Sequence, residues 1–203
     1  MAIKAIALNA SLKKSGDDPS STEKMLSLIE KALKREGVVS ETLRLADYNI
    51  FPGVTSDEGP GDDWPGVRSK ILSADILVLG TPIWLGQPSS VAKRALERMD
   101  AFLDELDDAG RMVSYPRVAA VAVVGNEDGA HHVSAEIYQA LNDVGFTLPA
   151  NAVAYWVGEA MGNVNFVDLG STPEVVSKMV DTLARNAVHL ARMLQHETYP
   201  GEK

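Results

Sequence analysis

Short apolar runs alternate with longer amphipathic stretches along the 203 residues of the chain. The runs are rich in Val, Ile and Leu, which is typical of strands that are buried on both faces of a parallel sheet. Because a stretch with helical periodicity follows each run, the pattern predicts βαβ units and an α/β fold. We predict five strands, at residues 3–9, about 38–45, 75–81, 117–124 and about 151–157.

The helices are indicated by apolar residues that recur at the spacing of one helix face. The first helix is expected over about 21–36, where Ser20 and Glu23 resemble a capping box. The terminal helix is expected to begin at Pro173, with Thr172 as its cap. Shorter helices are predicted near 64–73, 88–105 and 130–145.

Five βα units of this length suit a three-layer, doubly wound sandwich, with a parallel sheet in the order 2-1-3-4-5 and helices on both faces. This order leaves a crevice at the carboxyl edge, between strands 1 and 3. Right-handed crossovers place the loops after strands 1, 3 and 4 on that edge, where they can converge on one ligand. The length favours a single domain over residues 1–203.

Composition excludes several classes of function. The net charge of −9 would repel nucleic-acid phosphates, so a nucleic-acid partner is not expected. The chain has no cysteine, which excludes thiolate metal sites, cysteine-bound iron–sulfur clusters and cysteine nucleophiles, so redox chemistry would require a bound cofactor. The apolar amino terminus lacks a basic leader, and no run approaches the length of a membrane helix. These features predict a cytoplasmic protein that does not bind membranes.

The first loop of interest, residues 9–22, leads from strand 1 into the first helix. Hydroxyls and free N–H groups at a helix start form an anion site, because the helix dipole is positive there. Ser11, Ser21 and Thr22 are the expected phosphate donors, with Lys13 as a nearby positive charge. A hydroxyl-capped helix after an exposed loop would give the same pattern. The loop has neither a Walker motif nor a G-x-G-x-x-G fingerprint.

The second loop, residues 81–93, begins Thr-Pro-Ile-Trp-Leu-Gly. Its prolines and glycine predict a stiff turn, and its apolar and aromatic side chains would be costly to expose unless a flat ligand covered them. Trp84 could instead belong to the core or to a dimer contact.

The third loop, Gly125-Asn-Glu-Asp-Gly129, follows strand 4. Its glycines allow close backbone approach to a ring, and its N–H groups can bind ring carbonyl oxygens. An ordinary turn with helix-capping acids is the alternative. His131 and His132 follow, but neighbours on a helix point about 100° apart, so a metal site is disfavoured. A solvated pair, or one histidine beside a cofactor, is expected instead.

Taken together, the three loops resemble the NADPH-dependent FMN reductase branch of the flavodoxin-like superfamily. The resemblance spans nearly the whole chain, although Lys13 stands where many relatives have arginine and Trp84 where many have tyrosine. It implies a flavodoxin-like domain whose first loop holds the FMN phosphate, whose second cradles the ring, and whose third contacts the pyrimidine side. The implied cofactor-binding residues are Ser11, Lys13, Ser21, Thr22, Pro82, Ile83, Trp84, Leu85, Gly86, Gly125, Asn126, Glu127, Asp128 and Gly129.

The same resemblance implies an oxidoreductase that passes electrons from NADH or NADPH through FMN to a small acceptor such as a quinone, an azo compound or a flavin. The flavin N5 would carry the chemistry, so no catalytic side chain is expected. The alternative is a non-enzymatic, flavodoxin-like electron-transfer protein, which the acidic surface would suit. A scaffold that has lost its flavin also stays open.

Two further segments are expected to shape the acceptor pocket, with a partner subunit of a dimeric or tetrameric homo-oligomer. They are the loops 47–64 and 158–171 with the end of strand 5 between them, and their candidate wall residues are Phe51, Trp64, Tyr155, Trp156, Met161 and Phe166.

Overall fold

A computed structural model describes residues 2–16, 18–160 and 162–201. Its main sheet is parallel and has the order β2-β1-β3-β5-β6, which confirms the predicted topology. The parallel strands are β1 (Lys4–Asn9), β2 (Val39–Arg44), β3 (Ile76–Trp84), β5 (Val118–Gly125) and β6 (Val153–Val157), while β4 (Gln87–Pro88) pairs antiparallel with the end of β3.

In the part of the chain that the structure describes, five α-helices cover the two faces of the sheet, as predicted for three layers. Two of them, the first and the last, pack on one face, and the other three pack on the opposite face. None of the helices in the described residues is long and apolar enough to cross a membrane. The helices are α1 (Ser21–Arg35), α2 (Trp64–Leu72), α3 (Ser90–Met99), α4 (Ala130–Asp143) and α5 (Glu174–His196).

The core between the sheet, α1 and α5 depends on small residues in the central strands. In β5, Ala120 and Ala122 face this layer between two valines. A Cβ atom at Gly80 in β3 would lie 2.9 Å from the side chain of Leu26. Glycine therefore lets α1 approach the sheet closely and sets where the amino end of α1 lies at the carboxyl edge.

Three element boundaries differ from the sequence prediction. The helix expected over 88–105 begins at Ser90, because the Oγ of Ser89 caps it by accepting from the N–H of Ala92 at 3.1 Å. It ends at Met99 and continues as a 3-10 turn over Asp100–Leu103. The terminal helix begins at Glu174, since Pro173 is extended (ψ 140°) and is the N-cap rather than the first helical residue.

Strand β3 also runs past its predicted end at residue 81 and returns through the two-residue β4. The sequence did not predict this hairpin, because a two-residue strand has no periodicity to detect.

Candidate functional site

A pocket with a cavity volume of about 180 Å³ opens at the carboxyl edge of the sheet, where the loops after β1, β3, β5 and β6 meet. The structure therefore brings the three predicted loops together. The predicted binding residues that line the pocket are Ser11, Lys13, Ser21, Thr22, Pro82, Ile83, Trp84, Gly125 and Asn126.

The first loop presents hydroxyls at the amino end of α1. Ser11 lies on the pocket wall and is more than nine-tenths buried, and its Oγ has no hydrogen-bond partner within the described part of the chain. A buried hydroxyl without a partner is costly, so its position at a positive helix end indicates an anion site. Ser20 caps α1 by accepting from the N–H of Glu23 at 3.3 Å. The predicted capping box is only half formed, because the Glu23 carboxylate pairs with Arg44 at 2.6 Å.

The shape of the first loop is fixed from its outer side. Arg44 donates to two consecutive carbonyl oxygens of the loop, beginning with that of Lys13, at 3.3 Å each. Asp47 accepts from the N–H of Ser15 at 2.8 Å and from its hydroxyl. These hydrogen bonds from Ser15 lower the pKa of Asp47. The ammonium of Lys13 donates to the carbonyl of Pro19 at 3.1 Å and closes the loop on itself.

The second loop forms the tip of the β3–β4 hairpin. Trp84 lines the pocket and is 56% exposed, whereas Leu85 and Gly86 lie outside the pocket lining. The two tip residues have positive φ angles of 52° and 72°, the pattern of a type I′ turn. A leucine with positive φ is uncommon, and this one is 91% exposed. The hairpin therefore holds an apolar tip in solvent beside the pocket.

The third loop packs backbone to backbone against the hairpin. A Cβ atom at Gly129 would lie 3.0 Å from Cα of Gly86, and one at Gly125 would lie 2.9 Å from Cβ of Ile83. The N–H of Gly86 donates to Oε1 of Glu127 at 3.3 Å. The structure thus places Glu127, Asp128 and Gly129 outside the pocket lining, and the first and last of these support the hairpin.

The end of β6 and the segment after it form one wall of this pocket, although the sequence predicted them only as part of the acceptor pocket. Phe166 and Trp156 lie with their ring centroids 5.4 Å apart and line the same pocket as Ser11. Tyr155 points away and contacts the ring of His131 edge-on at 5.3 Å. Met161 lies outside the described residues. Pocket residues missed by the sequence analysis are Leu12, Pro19, Ser20, Val124, Asn165 and Val167.

The loop 47–64 was expected to shape the acceptor pocket, and that expectation is wrong for Trp64. None of residues 48–63, all of which the structure describes, lines the pocket. Trp64 is fully buried as the first residue of α2, and Phe51 belongs to a loop that is closed by an ion pair between Asp62 and Arg98. The position of this loop at the carboxyl edge did not indicate that Trp64 packs in the core and that the loop is held by its own contacts with Arg98.

The histidine pair is not part of a metal centre in the described residues. His132 Nε2 lies 2.8 Å from Oε1 of Glu136 and 2.9 Å from Nε2 of Gln87. Glu136 also binds the ammonium of Lys93, and this contact is the main reason why the pKa of Glu136 is lowered. The cluster joins α4 to α3 and to β4 at the surface.

The fold is that of a flavodoxin-like α/β protein, and its pocket brings the unpartnered Ser11 hydroxyl to the same cavity as the side chains of Trp84 and Trp156. The family model of NADPH-dependent FMN reductases matches residues 3–162. The chain belongs to this family and is a flavoprotein oxidoreductase with FMN as its cofactor. The residues fit FMN, because the unpartnered Ser11 hydroxyl suits a phosphate and the two tryptophans suit a ring.

The chain is similar to two curated proteins over nearly its whole length. The 8-demethyl-8-aminoriboflavin-5′-phosphate synthase of Streptomyces davaonensis is 36% identical over 213 residues, covering 98% of this chain and 81% of the relative. The divalent metal cation transporter MntH of Mycobacterium bovis is 34% identical over 200 residues, which are 95% of this chain. The chain spans only 29% of the length of that transporter.

Among solved structures, RosB with bound 8-demethyl-8-formylriboflavin-5′-phosphate has a TM-score of 0.90 and 33% identity, covering 98% of this chain and 82% of that chain. An archaeal flavodoxin shares the fold, with a TM-score of 0.57 and 11% identity over 96% of this chain and all of that chain.

Proposed function

We propose that the chain is a single FMN-binding domain over residues 1–203 that oxidises NADH or NADPH and reduces a small acceptor such as a quinone, an azo compound or a flavin. The observation that carries the proposal is the buried, unpartnered Ser11 hydroxyl at the amino end of α1, in a pocket whose other walls carry Trp84 and Trp156. Such a site combines a hydrogen-bond donor for an anion with flat apolar surfaces, which suits the phosphate and the ring of a flavin phosphate.

The proposed contacts follow the three loops. Ser11, Ser21 and Thr22 would donate to the phosphate, and Lys13 would add positive charge. Beside the ring, Trp84 would provide a flat face and Asn126 a polar group, together with the remaining proposed residues Pro82, Ile83, Leu85, Gly86, Gly125, Glu127, Asp128 and Gly129. The pocket lining includes the four proposed phosphate residues and the first proposed residues of the second and third loops, which supports these contacts. The other proposed residues lie outside the lining, where the N–H of Gly86 donates to Glu127 and joins the two loops.

Bound FMN would supply the redox chemistry, by accepting a hydride from the reduced nicotinamide and passing two electrons to the acceptor. The protein would contribute orientation and electrostatics. N–H groups of the third loop would favour negative charge on the pyrimidine side, as preorganised donors do at other anionic sites. The positive end of α1 would favour the negative charge of the phosphate.

The proposal is tested on the purified chain with added FMN. Flavin absorbance that survives desalting and oxidation of NADH or NADPH coupled to an acceptor are expected. Protein that retains no flavin and oxidises neither nicotinamide with any quinone, azo dye or free flavin would contradict the proposal.

A second function is favoured by the 36% identity to an enzyme whose name describes synthesis of an 8-amino flavin phosphate. In that case the same pocket would hold riboflavin phosphate as the reactant. Replacing the 8-methyl group by an amino group breaks the bond from C8 to the methyl carbon, which leaves in oxidised form, and forms a C–N bond. An oxidant and a nitrogen donor must therefore both be supplied in the assay. Mass spectrometry of the recovered flavin separates the two functions: unchanged FMN supports the reductase, and a changed substituent at position 8 supports the synthase.

A homo-oligomer and a cytoplasmic location stay predictions. The exposed hairpin tip at Trp84 and Leu85 supports a contact with a second copy of the chain, because large apolar side chains are seldom held in solvent by a strained turn. Light scattering of wild type and Leu85→Asp tests this contact. A lower oligomer in the variant is expected, and an unchanged oligomer would place the interface elsewhere.

A further inference from the structure

A short segment after β6, residues 165–169, covers one side of the pocket, and we call it the strap. Its first three residues line the pocket, and it contains the 3-10 turn Phe166–Asp168. We propose that the strap is a specificity element that Lys24 and Ser21 hold against α1, so that binding of the flavin 5′-phosphate and closure of the strap stabilise each other. This inference rests on the proposed FMN site.

Lys24 fastens the strap through three carbonyl groups. Its ammonium donates to the carbonyl oxygens of Phe166 at 2.9 Å, Leu169 at 3.0 Å and Val167 at 3.2 Å. It also lies 5.1 Å from the centroid of the Phe166 ring. A lysine ammonium has three donors, and all three are used on carbonyl groups of this one short segment. Lys24 is therefore placed as a positioning residue rather than as a ligand contact.

Ser21 joins the strap to the anion site through one oxygen atom. Its Oγ accepts from the N–H of Val167 at 3.1 Å, and Ser21 also lines the pocket beside Thr22. A hydroxyl that accepts one hydrogen bond still has its own hydrogen to donate. A phosphate that accepted a hydrogen bond from this hydroxyl would polarise the Ser21 oxygen and strengthen the hydrogen bond that it accepts from the N–H of Val167. Because such coupling is reciprocal, a fixed strap would also strengthen phosphate binding.

The strap in turn fixes the aromatic wall. The Phe166 side chain is fully buried against Trp156, with the ring centroids 5.4 Å apart. Just before the strap, Nδ2 of Asn126 donates to the carbonyl of Gly162 at 3.2 Å and ties the chain that leads into the strap to the third loop. The position of this wall thus depends on contacts at the phosphate end of the pocket, and loss of the Lys24 tether is expected to reach a flavin through the strap.

The test compares FMN with riboflavin, which lacks the phosphate, by fluorescence titration of wild type, Lys24→Met and Lys24→Arg. In Lys24→Met the ratio of FMN affinity to riboflavin affinity is expected to fall about fivefold or more. Lys24→Arg keeps a multivalent donor and is expected to restore most of the ratio. Lys31→Met removes the same charge from an exposed position on α1 and is the matched control, with no change expected.

Hydrogen exchange of the strap amides gives a readout that is independent of affinity. In wild type, FMN is expected to slow exchange in residues 165–169 more than riboflavin does, and this difference should vanish in Lys24→Met. If Lys24→Met leaves the ratio of FMN affinity to riboflavin affinity unchanged, whether or not both affinities fall, the tie is purely structural and the inference is overturned. If high salt lowers the wild-type ratio to that of Lys24→Met, the preference for FMN arises from direct attraction between Lys24 and the phosphate, and the inference is also overturned. If wild type binds neither flavin, the proposed function itself fails.

Discussion

Two long loops lie at the carboxyl edge of this protein, and both were expected to shape the acceptor pocket. The α2 loop, residues 48–63, precedes α2, and the α5 loop, residues 158–171, precedes α5. Only the α5 loop lines the pocket. The α2 loop instead closes on α3 through buried charge. A long aromatic loop at the ligand edge is therefore a poor indicator of a binding wall until the partners of its polar groups are known.

The centre of the α2 loop is an ion pair with no exposed surface on either side chain. Arg98 Nη2 lies 2.7 Å from Oδ2 of Asp62, and Arg98 also donates to the carbonyls of Thr55 and Phe51 at 3.0 Å each. Burial raises the pKa of Asp62, but the hydrogen bonds to its carboxylate outweigh this and lower the pKa to about 2. The donors besides Arg98 are the N–H groups of Phe51, Glu58 and Trp64.

Removing Arg98 should have the largest effect. Arg98→Met leaves the Asp62 carboxylate buried without its counterion, so the free energy of unfolding is expected to fall by about 3–5 kcal/mol. Flavin affinity of the folded variant should not change, since the α2 loop does not line the pocket. Urea unfolding and FMN titration measure the two effects.

The matched control for Arg98→Met is Arg35→Met. Arg35 pairs with Asp181 at 2.6 Å, but the two side chains are 65% and 39% exposed. Its removal is expected to cost less than about 1 kcal/mol. If both variants lose the same stability, or if Arg98→Met weakens FMN binding in the folded protein, the distinction between the two loops is broken.

The same ion pair predicts how stability responds to acid. The pKa of Asp62 is about 2 in the folded chain, against an ordinary value of 3.8. The lowered pKa contributes stability that is fully present above about pH 4 and is lost as the pH falls towards 2. The loss should reach about 2 kcal/mol. Urea unfolding across this range should show a shallower pH dependence in Asp62→Asn than in wild type, and equal slopes would contradict the assignment.

The pocket side of the comparison is tested at Ser11. Ser11→Ala is expected to weaken FMN binding about tenfold or more, because hydrogen bonds to charged groups contribute roughly 1.5–3 kcal/mol. The flavin-free protein should lose no stability, since the Ser11 hydroxyl has no partner in the described residues. Calorimetric titration and thermal unfolding separate the two results.

Ser114 supplies the contrast for Ser11. Its hydroxyl is also buried, but it donates to the carbonyl of Val144, far from the pocket lining. Ser114→Ala should therefore cost about 1 kcal/mol of stability and leave FMN affinity unchanged. A loss of stability in Ser11→Ala as large as that in Ser114→Ala would show that Ser11 is structural.

Much of this arrangement could be predicted from the sequence, and the limits have physical causes. Strand order and the anion site at α1 follow from local pattern, because buried strands and a helix start each leave a periodic or capping signal. The strap has no such signal: Val167 lies at the pocket where Lys24 binds its carbonyl and Ser21 accepts from its N–H, both from a helix that is distant in sequence. The burial of Trp64 likewise depends on Asp62 and Arg98, which are separated in sequence.

The smallest expected effect comes from a matched pair of asparagines, one in contact with each loop. Asn126 Nδ2 donates to the carbonyl of Gly162 in the α5 loop at 3.2 Å, and Asn49 Nδ2 donates to that of Gly61 in the α2 loop at 2.9 Å. Each alanine variant loses one amide hydrogen bond, so each should cost about 0.5–1.5 kcal/mol of stability. Only Asn126→Ala should also weaken FMN binding, by about threefold, because Asn126 and its partner loop both line the pocket, whereas Asn49 and the α2 loop lie outside the lining. Equal FMN affinities in the two variants would mean that Asn126 and its tie to the α5 loop do not contribute to flavin binding.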